Sequence, residues 1–199
     1  IDIIISPEFE VAKSLYRKLE APGAIDSIPF ADDMVRLLEI QIDEKCPLLN
    51  TSLSKLSEIF SDLQANVLGA IRKDKFIIFK KTDKLLKDDK AFVLTNSKQV
   101  DRTLSIFGRD EKFAKTILII GAGNIGLDLA KLLEEDEQKP RIKIIEKNPE
   151  RAEKIATDVN EAMVIKGDGL DENLLKEINI DEIDTVLALT EDDEVNIMS

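Results

Sequence analysis

The sequence has no histidine and no tryptophan, a single cysteine and a single tyrosine among 199 residues. Without histidine, Ser-His-Asp and Cys-His nucleophilic sites, His-ligated zinc and imidazole acid–base steps are all closed to this chain. The lone Cys46 can form neither an internal disulfide nor a thiolate cluster, and no signal peptide opens the sequence, so a reducing cytoplasm is the expected compartment. On its own it reads as a buried or loop thiol. No apolar run is long enough to span a bilayer, because the most apolar window, 116–133, is broken by Gly121, Gly123, Asn124, Gly126, Asp128 and Lys131. Excess positive charge is also missing. With 28 Lys plus Arg against 40 Asp plus Glu the net charge is −12, which disfavours nucleic acid and anionic lipid as partners.

What is present is 43% hydrophobic residues, enough for one moderate or two small cores. The charge is unevenly placed. Residues 1–109 carry 17 acidic and 17 basic side chains, whereas residues 110–199 carry 23 and 11, and the polar run after Gly108 marks a linker. Both ends look cut, since the chain opens inside the apolar run IDIIIS and stops just after a helix-start pattern.

The first part begins with a buried-type strand, 1–5, then Ser6-Pro7-Glu8 as cap, first-turn proline and early acid of a helix running to about Leu19. Val11, Leu15, Lys18 and Leu19 form its expected stripe. A long strand over roughly Ile28 to Ile42 follows, then a short helix from Thr51 or Ser52 and strands 66–72 and 75–80 joined by Lys73-Asp74. A strand near 91–95 and a helix near 98–107 complete a small α+β lobe of pattern βαβββα. Within it, Arg72 to Lys90 holds eight basic residues against four Asp, a stretch able to dock an acidic partner or simply to protect a sheet edge.

The second part alternates strands (116–120, 141–145, 162–166, 184–189) with helices (124–133, 149–159 capped by Asn148, one from about Asp171, and one after Thr190). Strands separated by helices imply right-handed crossovers and a parallel sheet. The fold class is therefore α/β, a Rossmann-like parallel sheet incomplete at the C-terminus and preceded by the α+β lobe.

Gly121-Ala122-Gly123-Asn124-Ile125-Gly126 is a G-x-G-x-x-G directly after an apolar strand and opening a helix. Gly121 suits the tight turn, Gly123 lets a pyrophosphate approach the backbone, and Gly126 lets the helix pack on its strand. The helix N-terminus offers free N–H groups to phosphate. Twenty residues beyond Gly126, Glu146 ends the second strand, where a carboxylate grips ribose hydroxyls and disfavours a 2′-phosphate. Lys147 is either a ribose or phosphate contact or an exposed lysine. Asp168, in Gly167-Asp168-Gly169, either accepts from an adenine amine or makes an Asp-Gly turn. Thr190 is a helix cap or a lining residue. The acidic runs 134–137 and 191–194 read as helix-end and surface charge before they read as a metal site.

The segments ILIIGAGNIGLDLAKLL, IIEKNPERAEKIA, VIKGDG and LALTEDDEVNIMS resemble the N-terminal lobe of an RCK domain, the regulator of potassium conductance. ISPEFEVAKSLYRKLEAPGAID and FADDMVRLLEIQI resemble the exit from a preceding lobe of that kind and the start of its C-terminal lobe. The resemblance implies three regions: 1–27 as the tail of a preceding nucleotide lobe, 28–109 as a C-terminal lobe, and 110–199 as a second, truncated nucleotide lobe. It also implies that Gly121, Gly123, Asn124, Ile125 and Gly126 hold a diphosphate, Glu146 and Lys147 the ribose side, Asp168 the adenine, and Thr190 the far end of the cofactor. NAD (NADH) is the implied cofactor, with ATP or ADP as alternatives in the same site. The implied role is regulatory rather than enzymatic: a homo-oligomeric ring, a tetramer in the complete protein, at the cytoplasmic face of an integral-membrane potassium transporter of Trk type. Two other functions stay open on the residues alone, a fragment of an NAD-dependent dehydrogenase and an oligomerisation module whose glycines only pack.

Overall fold

The structure, a computed structural model, describes residues 6–190, so strand 1–5 and the helix expected after Thr190, with its acidic run 191–194, lie outside the described residues. The described chain divides into two compact units, one formed by residues 6–16 together with 114–190, the other by Arg17–Phe113. Helix α1 is Pro7–Glu20, and the Ser6 hydroxyl accepts the N–H of Phe9 at 3.4 Å, the expected cap. Its fully buried residue is Ala12, whereas Val11 is exposed, so the buried face is turned from the expected stripe. A small residue lets a helix approach its neighbour closely, and a count of large apolar residues overlooks it.

In the unit 17–113, the expected single strand 28–42 is instead a hairpin of β1 (Asp26–Phe30) and β2 (Val35–Gln41). The chain reverses at Ala31, Asp32 and Asp33, all with φ between 52° and 60°. Asp tolerates this left-handed region, and Arg36 holds the turn by pairing with Asp33 at 2.7 Å and with Glu20 at 2.9 Å. Helix α2 (Leu53–Ile59) follows, then β3 (Ala65–Arg72), β4 (Lys75–Ile78), β5 (Lys90–Asn96) and α3 (Val100–Ile106). Lys73 and Asp74 turn with φ 51° and 60°, the backbone a two-residue hairpin needs. The antiparallel sheet has order β1-β2-β5-β3-β4. One face buries Leu38, Ile40, Val93 and Ala91 against Leu85, Leu104 and Phe107. Cys46 belongs to this core, and burial pushes its thiol up.

The other unit holds β6 (Thr116–Ile120), α4 (Asn124–Glu135), β7 (Arg141–Glu146), α5 (Pro149–Asp158), β8 (Met163–Lys166), α6 (Glu172–Glu177) and β9 (Thr185–Ala188). Its four described strands are all parallel, in order β8-β7-β6-β9. All five residues of central β6 are buried, as expected for a strand covered on both faces. Asn148 caps α5 by accepting the Arg151 N–H at 3.0 Å, with Pro149 at the first helical position. The acidic run 134–137, at the end of α4, is not simply surface charge. Glu134 is buried and accepts the N–H groups of Asn160, Glu161 and Ala162, fixing the turn into β8, while Asp136, also buried, accepts the Tyr16 hydroxyl at 2.6 Å. Burial alone would raise the Glu134 carboxyl, but these N–H groups and the Asn160 amide hold it below its ordinary range.

Candidate functional site

The glycine loop leaves the carboxyl end of β6, at the point in the sheet where β7 lies on one side and β9 on the other. Open α/β sheets bind ligands in such a crevice. The three glycines have different reasons to be there. Gly121 has φ +88°, and an added Cβ would press on the Thr190 methyl and the Leu189 carbonyl. At Gly126 a Cβ would collide with the Gly121 carbonyl oxygen and crowd Ile119, so the first turn of α4 lies directly on the loop. Gly123, the N-cap of α4, has φ −64° and ψ −171°, a backbone any residue adopts, and nothing lies within 4 Å of where its Cβ would be.

Glu146 ends β7 almost fully buried, at 6% exposure. One carboxylate oxygen accepts the Ala122 N–H at 3.0 Å and the other the Asn148 N–H at 2.8 Å. The side chain thereby ties the glycine loop to the entry of α5. A carboxylate has about four lone-pair sites, so two remain after these bonds.

Lys147 extends beside this point and forms an ion pair with Asp168 at 2.8 Å, a juxtaposition the sequence reading of either residue alone did not contain. The ammonium holds the Asp168 carboxyl below its ordinary range, helped by the Leu170 N–H, which donates to it at 3.0 Å. The Asp168 carbonyl also accepts the Asp171 N–H, so the Asp-Gly turn is real whatever else the carboxylate does. Thr190, the last described residue, lies against Gly121 on the β9 side of the loop. Asn124 starts α4 and bonds the side chain of Glu8 in α1, a neighbour its sequence position does not suggest; that carboxyl is lowered first by its own backbone N–H and then by Ser6.

A cleft of about 420 Å³ opens from the loop between α4 and α5, with Gly123, Asn124 and Asn148 at one end and Arg151 and Lys154 along α5. The two cations were not singled out from sequence. The signal available was their i, i+3 spacing in the first two turns of the helix that follows Glu146. Among the described residues no group of three or more acidic or thiol side chains converges as a metal site, and no helix is long and apolar enough to cross a membrane.

A parallel βαβ sheet with G-x-G-x-x-G at its first turn and a carboxylate ending the second strand defines a Rossmann-like domain of nucleotide-binding type. Comparison narrows this further. Residues 117–199 match the TrkA-N domain and residues 37–108 the TrkA-C domain, and the chain belongs to the TrkA family of RCK-domain proteins. It is 42% identical over all 199 residues to the Trk system potassium uptake protein TrkA of Azorhizobium caulinodans, and spans 43% of that protein's length. The crystal structure of the GsuK RCK domain superposes on 96% of the chain and 40% of its own, with TM-score 0.56 and 19% identity. The GsuK channel bound to NAD superposes on 98% of the chain and 33% of its own, with TM-score 0.58 and 17% identity. These two share the fold.

Proposed function

We propose that the loop Gly121–Gly126 holds the diphosphate of NAD(H), with ATP or ADP as alternative occupants, and that this occupancy regulates potassium transport by a membrane partner. The observation that carries the reading is Gly123. Packing accounts for Gly121 and Gly126, but neither backbone angle nor any neighbour requires a glycine at 123. A phosphate approaching the backbone does require one, since a Cβ there would stand between it and the N–H groups that open α4. Gly121, Asn124, Ile125 and Gly126 complete the phosphate cradle. The remaining lone pairs of Glu146 receive the ribose hydroxyls, Lys147 and Asp168 flank the ribose and adenine, and Thr190 lines the far end.

In this reading 28–109 is the C-terminal lobe, 110–199 the nucleotide lobe, and 1–27 the tail of a preceding lobe. The complete protein is a homo-oligomeric ring, a tetramer, on the cytoplasmic face of the membrane, and its partner is an integral-membrane potassium transporter subunit of Trk type. The relative's name supports the link to potassium uptake, and the NAD-bound neighbour supports the choice of nucleotide. No chemical step is assigned to the chain: the nucleotide acts by binding two ring conformations unequally, and tenfold regulation needs about 1.4 kcal/mol of difference.

The test is Gly123→Ala in the intact protein, titrated with NADH by calorimetry. The variant keeps the parent's melting temperature, because the new methyl meets open space, and loses at least about tenfold in affinity, or about 1.4 kcal/mol. Unchanged affinity would return the loop to a packing role. Turnover of NADH with a small carbonyl substrate at about one per second would favour a dehydrogenase instead.

A further inference from the structure

The unit 17–113 contains a second cavity, of about 330 Å³, under α2. Most of the side chains lining it are apolar, Leu56, Phe60, Val67, Phe79 and Ile106 among them, with Ser61 and Asn66 as uncharged polar neighbours, and several of the apolar ones are only partly buried although they pack on the main core. Among the described residues no Asp or Glu lines it. The charged groups at its rim are Lys80 and Lys81, and among the described residues neither ammonium has a carboxylate oxygen within 4 Å.

The backbone that carries these lysines is held in place. The Lys80 N–H donates to the Asp83 carboxylate at 2.6 Å, and the Lys81 carbonyl accepts the Ser54 N–H at 2.8 Å, tying the rim to the first turn of α2. Both lysines belong to the basic stretch from Arg72 to Lys90, which stands out in a chain of net charge −12. Small-molecule sites are concave, mostly apolar, about 300–1,000 Å³, and carry a few placed polar groups. This cavity fits that description, with positive charge only at its mouth.

We propose that the cavity binds a small amphiphile with an anionic head group: an aliphatic tail lies between α2 and the sheet, and a carboxylate or phosphate head meets Lys80 and Lys81. At the ~30 Å³ that a water molecule occupies in the liquid, the volume admits a tail of roughly ten heavy atoms. The charge at the mouth selects the head, because a neutral head leaves both ammonium groups without a counter-charge and a cationic head meets repulsion. The site is independent of the nucleotide loop, so the two readings stand or fall separately.

The experiment titrates the intact protein by calorimetry with decanoate, decyl phosphate, decanol and decyltrimethylammonium, each below its aggregation concentration, and with acetate as the head group alone. Decanoate or decyl phosphate, or both, should saturate one site per chain at least tenfold more tightly than decanol, and the comparison of the two identifies the head. The cationic amphiphile and acetate should not saturate. Lys80→Gln with Lys81→Gln changes exposed side chains that hold no ion pair among the described residues, so the variant should melt with the parent and lose at least tenfold in affinity for the anionic amphiphile. Val67→Phe, which fills the cavity, should abolish binding; if it does not fold, the lysine variant decides alone. The proposal is overturned if neither anionic amphiphile saturates, if decanol binds equally well, or if the lysine variant binds like the parent. It is also overturned if light scattering and Phe60→Cys cross-linking show a second copy of the chain occupying the cavity.

Discussion

Replacing Glu146 by Gln tests whether this carboxylate braces the glycine loop. Its two oxygens accept one backbone N–H each, from Ala122 at 3.0 Å and Asn148 at 2.8 Å, in a position 6% exposed. Gln keeps the shape but offers one carbonyl and one NH₂, so one of the two N–H groups must face another donor. A hydrogen bond to a charged group contributes about 1.5–3 kcal/mol, and a buried donor left unsatisfied costs about 1–3 kcal/mol. The expected loss is therefore about 2–4 kcal/mol. For a chain of this size 1 kcal/mol moves the midpoint by about 2–4 °C, so the midpoint of the chain should fall by about 5–15 °C in a calorimetric melt. The Ala122 N–H would also lose its fixed direction, and NADH affinity should drop at least about tenfold. A midpoint within about 1 °C of the parent, together with unaltered NADH binding, would refute the reasoning.

Two further outcomes follow from buried carboxylates away from the loop. Glu134→Gln should lower stability by about 2 kcal/mol at neutral pH, since it disturbs bonds from three backbone N–H groups. Because the folded-state carboxyl lies below its ordinary value, this stabilisation is complete above the unfolded pKa of about 4.3 and is lost as pH falls through the folded value, so denaturant curves of parent and variant should converge in acid. A difference that grows on acidification would contradict this. Asp89, with no exposed side-chain surface, accepts Arg72 through both oxygens at 2.7 Å and the Leu86 N–H at 2.8 Å; Asp89→Ala should cost the other unit about 3–5 kcal/mol, and a denaturation midpoint unchanged from the parent would disprove it.

Much of the parallel-sheet unit was legible because its signals are local. The run 116–120, the glycines after it, Asn148-Pro149 and the carboxylate closing 141–146 each identify an element within a few residues. The features that escaped depend on partners distant in sequence. Glu134 reads as a helix-end charge until the chain returns at 160–162 to donate three N–H groups. Lys147 and Asp168 are separate candidates until the ends of β7 and β8 bring them together. The turn at 31–34 was hidden because Ala31 carries no turn signature, and the charges of Asp32 and Asp33 suit a half-exposed strand as well as a reversal. Ala12 was missed for the same reason that it fits, its small size.

The most direct measurement of the regulatory account is potassium flux through the Trk-type transporter reconstituted in liposomes, with and without the intact protein, across NADH, NAD, ATP and ADP. The account predicts a complex that survives size-exclusion chromatography and a flux that changes with nucleotide in the parent but not in Gly123→Ala. Flux indifferent to the protein under all four nucleotides, with no complex recovered, would contradict it.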